Sequence, residues 1–167
     1  MKMYVQQKVF RLADEFNVYG ENKEPLYSVY GKFFSFGKQL SIRDNTEMEV
    51  AFLKQEVFSF LAKFYFYIDG AVVAEMERKL SLFRPNYYIK GLDWECKGDF
   101  WAHNYQIVHD GEIIATIKKE WLSWGDFYTI DVIDEINSLE VLMVCLAIDV
   151  SLQMDSVAAN TASASNN

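Results

Sequence analysis

Short apolar groups recur along the chain at a nearly constant interval. Val9-Phe10-Arg11-Leu12, Phe33-Phe34-Ser35-Phe36, Val57-Phe58-Ser59-Phe60 and Lys79-Leu80-Ser81-Leu82 follow one another at steps of 24, 24 and 22 residues. Weaker copies stand at Phe100-Trp101 and Trp121-Leu122-Ser123-Trp124. About ten residues after each group come turn formers: Gly20, Asp44-Asn45, Asp69-Gly70, Lys90-Gly91 and Asp110-Gly111. Asp-Gly between apolar runs marks a tight hairpin, because type I′ turns need positive φ at both central residues. A fixed period of this length marks a repeated supersecondary unit. Each unit is a long strand, a corner and a short strand. The long strands are expected at about 4–12, 25–36, 48–60, 71–82, 92–101 and 112–124, and the short ones at about 15–19, 39–43, 63–68, 87–90, 104–108 and 127–131.

The period breaks after the sixth unit. Asp134-Glu135-Ile136-Asn137-Ser138 precedes LEVLMVCLAIDVSLQM, and Asn137 with Glu140 has the spacing of a capping box. Residues 141–148, VLMVCLAI, carry no polar side chain. That is more than two turns at 3.6 residues per turn, so a helix over about 137–153 is apolar on every face and must be buried. The segment 155–167, ending SVAANTASASNN, has no periodicity and is expected to be disordered, leaving one domain over 1–154.

Strand number and helix demand each other. A barrel of about eight strands is filled by its own side chains, and diameter grows with strand number. Twelve strands would leave a void, which an all-round apolar helix fills. Closure also removes the sheet edges that an aromatic-rich chain could not leave open. The expected fold is mainly β: a closed twelve-stranded antiparallel barrel around a central C-terminal helix.

Composition sharpens this. Aromatics make up 16% of the chain, with 13 Phe, 10 Tyr and 4 Trp, and favour strands. Sixteen basic against 24 acidic residues give a net charge of −8, which disfavours nucleic acid as a partner and adsorption to anionic membranes unless a local basic patch exists. Cys96 and Cys145 form no redox or secreted pattern, and the N-terminal residues lack a signal-peptide core, so the expected location is the cytoplasm.

Gln7-Lys8-Val9-Phe10, the Phe-Ser-Phe and Leu-Ser-Leu groups, Trp124-Gly125-Asp126-x-Tyr128 and the helix ending Leu146-Ala147-Ile148-Asp149 resemble the LURP-one-related family, within the tubby-like and phospholipid scramblase superfamily. The likeness covers about residues 3–154. It implies the same twelve-stranded barrel around a helix. For function it implies little: superfamily members include phosphoinositide binders and proteins assigned calcium-dependent lipid scrambling, and fold does not carry function with it. Scramblases are assigned a calcium-binding acidic segment just before the equivalent helix, where Asp126, Asp131, Asp134 and Glu135 stand here. These lack the order and glycine of a calcium loop and suit the helix dipole instead.

No motif points to catalysis, a metal or a cofactor. Cys96, His103 and His109 are too few and wrongly spaced for zinc. Ser35, Ser59, Ser81 and Ser123 are repeat positions rather than nucleophiles, and phosphate-loop signatures are absent. Glu75 with Glu77, Asp93 with Glu95 and Asp99, and Asp131 with Asp134 and Glu135 are ordinary surface acids by their spacing. Basic residues such as Lys32, Lys38, Lys54, Lys63, Lys79 and Lys118 fall at similar points of successive units and would gather toward one barrel end. The expected function is a monomeric, non-enzymatic binding or scaffold module whose ligand, a lipid headgroup or a protein partner, the residues do not identify. The alternative is a membrane-associated scramblase-like protein. Against stable insertion, the apolar stretch from Leu139 to Leu152 would span only about 21 Å of a roughly 30 Å hydrocarbon core.

Overall fold

The computed structural model describes residues 1–8, 15–34, 37–80, 85–122 and 125–164. Twelve strands follow one another: β1 (Lys2–Lys8), β2 (Glu15–Tyr19), β3 (Pro25–Phe34), β4 (Gly37–Asp44), β5 (Glu49–Gln55), β6 (Lys63–Ile68), β7 (Ala71–Lys79), β8 (Asn86–Lys90), β9 (Trp94–Asp99), β10 (Asn104–His109), β11 (Glu112–Leu122) and β12 (Gly125–Val132). Each pairs antiparallel with its sequence neighbours, and β12 returns to β1 with Lys2 opposite Asp131, closing the barrel. Period-two alternation turns one face of each strand inward: Met3 and Val5 on β1, Phe64 and Phe66 on β6, and Tyr128, Ile130 and Val132 on β12 are all buried. Register shifts recur in four hairpins, at Val18/Tyr19, Ile42/Arg43, Phe66/Tyr67 and Ile107/Val108. Bulges at the same point of successive units increase local twist and help the sheet curl shut.

After β12 the chain makes a 3₁₀ turn over Glu135–Asn137 and enters helix α1 (Ser138–Ala164). Val141 to Ile148 are all buried, none more than 2% exposed, and they meet the inward faces of the strands in one continuous core. The all-round apolar helix therefore sits inside the barrel. Three expectations change in detail. The 3₁₀ turn that leads into the helix is capped by Asp134, whose side chain accepts from the Ile136 N–H at 3.2 Å; Asn137 lies within that turn instead of forming a capping box with Glu140. The helix continues through residues 155–164 of the segment expected to be disordered. Extension of a formed helix is inexpensive once nucleated, and the Ala-rich sequence there favours it. At 27 residues α1 is also long and apolar enough, by length and composition alone, to cross a bilayer, with 67% of its most apolar stretch buried in the barrel. Burial, and not shortness, makes it a plug.

The third unit departs most from its expected strand. β5 stops at Gln55, and Val57-Phe58-Ser59-Phe60 lies in the connection to β6, outside the sheet. The repeat positions 9–12, 35–36, 81–82 and 123–124 lie outside the described residues.

Candidate binding surface at one end of the barrel

Antiparallel order sends the connections alternately to the two ends. The β2–β3, β4–β5, β6–β7, β8–β9 and β10–β11 turns, together with the start of α1, occupy one end, here called the polar end. The β1–β2, β3–β4, β5–β6, β7–β8, β9–β10 and β11–β12 connections and the outgoing end of α1 occupy the other, the aromatic end.

At the aromatic end the β5–β6 connection has a pinned base. The Glu56 N–H donates to Lys63 O and the Arg78 N–H to Ala62 O, both at 2.9 Å, and the Phe58 N–H donates to the Glu56 carboxylate at 3.2 Å. From this base Phe58 and Phe60 stand 95% and 94% exposed. Two phenyl rings so fully hydrated on a hydrogen-bonded loop are not explained by packing, since burying such a ring stabilises by about 1.5–3 kcal/mol. Gly37, at φ +97°, fits against this loop: a Cβ there would come within 2.6 Å of Val57 Cγ1. The start of β4 thus adjoins the β5–β6 connection.

The β9–β10 connection is built the same way. Phe100 is buried, its ring 5.1 Å from those of Tyr87 and Tyr105, while its neighbour Trp101 is exposed. The Ala102 N–H donates to the Asp99 carboxylate at 3.1 Å and the His103 N–H to Phe100 O at 3.0 Å. His103 takes φ +49° and its carbonyl accepts from the Lys119 N–H at 3.0 Å, fixing the turn against β11. Leu80, just past β7, is also exposed. Behind these tips Lys32, Lys54, Lys79, Lys97 and Lys118 reach solvent from the aromatic-end halves of β3, β5, β7, β9 and β11.

Inside the same end, the helix leaves the barrel through a polar collar. Asp149, buried, accepts hydrogen bonds from the Tyr128 hydroxyl and from Gln153 Nε2, the latter at 2.6 Å. The Lys119 ammonium lies 3.9 Å from the same carboxylate, almost wholly buried, and 5.1 Å from the Tyr128 ring centroid. Tyr128 Oη also meets His103 Nδ1 at 3.1 Å; with the tyrosine proton directed to Asp149, this network assigns the Nδ1–H tautomer to the histidine. Ser151 pairs with Tyr87 Oη at 3.0 Å, and Arg78 Nη1 donates to both Asp155 oxygens at 2.7 and 2.6 Å. Burial lowers the Lys38 pKa, opposed by the charge of Asp149. These groups engage one another, so the collar's chemistry is to hold the helix at one depth.

The sequence-selected residues are dispersed. His103 is at the aromatic end, whereas His109 is exposed at the polar end, 3.7 Å from Asp110. Cys96 is buried on β9, and burial pushes its thiol up, as it pushes Cys145 up to about 12, leaving both unreactive. Glu75 and Glu77 share a face of β7 and pair with Lys63 at 2.7 and 3.2 Å. Asp93 accepts from Tyr88 Oη at 2.7 Å, Glu95 pairs with Lys97 at 2.8 Å, and Asp131 lies 3.9 Å from Lys2. Ser59 lies in the β5–β6 connection; Ser35, Ser81 and Ser123, and the side chain of Asp126, lie outside the described residues. The collar was missed, although the inward phase of Ala115 and Ile117 on β11 continues to Lys119.

The sequence model of the family described as LURP-one-related matches residues 1–149. The chain is 30% identical over 154 residues to the uncharacterised protein YxjI of Bacillus subtilis (strain 168), covering 92% of this chain and 93% of that one. A solved structure of a protein from Arabidopsis thaliana superposes with a TM-score of 0.60 at 13% identity, over 89% of this chain and 91% of its own, a likeness of fold.

Proposed function

The chain belongs to the LURP-one-related family, and from that premise we propose that it is a non-enzymatic binding module whose contact surface is the aromatic end of the barrel. The observation that carries this reading is the exposure of Phe58 and Phe60 on a connection whose base is hydrogen-bonded in place. Binding residues concentrate on loops held by a rigid scaffold, and a closed sheet filled by a helix is such a scaffold. The alternative, a scramblase-like protein with its helix in lipid, has the length of α1 in its favour. It would require a core running from Val141 to Ile148 to leave the barrel and would empty the interior.

The test is a photo-crosslinking amino acid placed at Phe58 and, separately, at Thr46 in a polar-end turn, in cells. Adducts from position 58 and not from 46 are expected. Adducts confined to position 46, or absent from both, would overturn the reading.

A further inference from the structure

Going beyond that reading, we infer that the outer wall of the barrel holds a separate site, a groove across the closing seam that takes a neutral oligosaccharide. The groove has a volume of about 500 Å³ and is lined by Tyr4 and Gln6 of β1, Tyr19 of β2, Phe127 of β12 and the β2–β3 turn. That volume lies within the range of small-molecule sites, about 300–1,000 Å³. Its floor follows from register. Outward positions of three neighbouring strands meet there: Tyr4 stands opposite Tyr19, and Gln6 opposite both Asn17 and Phe127. The Tyr4 and Phe127 rings are 6.2 Å apart and inclined at 39°. Asn17 Nδ2 donates to Tyr19 Oη at 3.1 Å. A tyrosine hydroxyl meets a side chain two residues back on its own strand only when the ring lies along that strand. Aromatic surface therefore paves the sheet from β2 to β12.

The groups around this floor select the ligand. Cross-strand aromatic pairs also stabilise sheets without binding anything. Phe52 and Tyr67 on β5 and β6, with rings 6.0 Å apart, are such a pair, beside a hollow of about 210 Å³ edged by the carboxylates of Glu49 and Asp69. The seam groove differs in having three rings, an amide at its centre and a rim of balanced charge. Gln6 is exposed, and its side chain has no hydrogen-bond partner among the described residues. Glu21 and Lys23 on the rim cancel, in a chain whose net charge is −8. Their turn is held in shape: the Gly20 N–H donates to Glu24 O at 2.9 Å, the Lys23 N–H to Gly20 O at 3.1 Å and the Asn22 N–H to the Glu24 carboxylate at 2.9 Å. A groove without net charge does not concentrate phosphates or carboxylates. The closed sheet offers no free edge on which a peptide could add a strand. A pyranose matches instead. Its C–H faces lie on aromatic rings, while hydroxyls around its edge donate to and accept from the amide, the tyrosine hydroxyls, the carboxylate and the ammonium. Rings that cross three strands suit a short chain of such sugars better than a single one. Because the floor needs β12 beside β1, the site exists only in the closed barrel.

The experiment is a titration of the isotope-labelled full chain with maltotriose, cellotriose and triacetylchitotriose, followed by amide NMR. At least one of the three is expected to shift, saturably, the side-chain amide signals of Gln6 and the backbone signals of Tyr4, Tyr19 and Phe127. Gln6→Ala should weaken that binding about fivefold, the worth of one hydrogen bond. Tyr4→Ala should weaken it about tenfold through lost stacking. Should Tyr4→Ala fail to fold, Gln6→Ala carries the test, since it removes an exposed side chain. Phe52→Ser on the other aromatic pair, and Phe58→Ser with Phe60→Ser at the aromatic end, should leave binding unchanged. No shift at the seam with any of the three sugars, equal shifts at Phe52 and Tyr67, binding indifferent to Gln6→Ala, or tighter binding of trigalacturonate would each overturn the inference. None of these outcomes bears on the aromatic end, where the Phe58 crosslink tests the binding-module reading separately.

Discussion

The two ends of the barrel are served by the same strands and solve the connection problem differently. At the polar end the chain turns within a few residues, using positive φ at Asp69-Gly70, Gly91, Asp93 and Asp110-Gly111. Register shifts sit beside four of the five turns at this end, all but that of β8–β9. At the aromatic end the β5–β6 connection runs over 56–62 and lifts apolar side chains into solvent. Apolar groups are exposed at the polar end too, Ile113, Ile133 and Ile136 among them, but they are aliphatic and set beside acids such as Asp110, Glu112 and Asp134. Among the described residues, the register shifts gather at one end and the exposed phenylalanines and tryptophan at the other.

Substitutions can break this contrast, beginning with what joins the ends. Leu146→Asp places an unpaired carboxylate where the native side chain is 2% exposed, a cost of several kcal/mol against a total stability of about 5–15. Insoluble or unfolded protein is expected, and soluble protein with an unchanged melting temperature would contradict a central helix. The two ends of the helix are next. Asp149→Ala leaves Lys119 buried without its carboxylate and should cost about 3–5 kcal/mol in urea titrations. At the polar end, Asp134→Ala removes a cap and should cost about 1 kcal/mol. Equal losses would mean the collar does not hold the helix.

The polar turns can be ranked among themselves. Gly111→Ala has open space around the new Cβ and bears only the strain of φ +86°, about 1–2 kcal/mol. Gly91→Ala should cost more, because its Cβ would lie 2.7 Å from the Val73 carbonyl oxygen. A smaller effect concerns pH. The Asp44 carboxylate accepts from the Thr46 hydroxyl and from the Thr46 and Met48 N–H groups, and these bonds hold its pKa below the ordinary value. The folded value being the depressed one, this stabilisation is present above the unfolded pKa of about 3.9 and is lost as pH falls through the folded value. Asp44→Asn should flatten that part of the acid titration of stability. Smallest of all, Phe58→Ser with Phe60→Ser should change stability by no more than about 0.5 kcal/mol, because neither ring is packed. A large loss on heating would show that the rings stabilise the fold.

What the sequence disclosed was the part that repeats. Six copies of one unit gave the strands and their order, and VLMVCLAI gave a helix that could only be interior. Val57-Phe58-Ser59-Phe60 misled, because alternation of apolar and polar residues looks the same whether the apolar side faces a core or solvent. The capping pair erred by a few residues, since Asp134 and Asn137 both have side chains suited to that role. The collar was illegible for another reason. Asp149, Lys119, Tyr128 and His103 come from the helix, two strands and a turn, and they meet only once β10, β11 and β12 have paired and the helix lies inside. Two of the bonds that hold the aromatic-end loops, from the Arg78 N–H to Ala62 O and from the Lys119 N–H to His103 O, likewise join neighbouring units.

The β1–β12 seam constrains the order in which the molecule can assemble. The helix that fills the barrel follows all twelve strands in the chain, and the seam joins the first strand to the last. Neighbouring hairpins can pair early through local contacts, but the ring cannot shut until the final strand is available, and shutting it without the helix would trap a void. Closure over nearly the whole sequence is entropically slow, and until it happens the two terminal strands expose unpaired edges open to wrong partners. Folding of this protein should therefore proceed from an open, curling sheet in which the helix docks before the seam zips. Opening of the native ring should begin at that same seam.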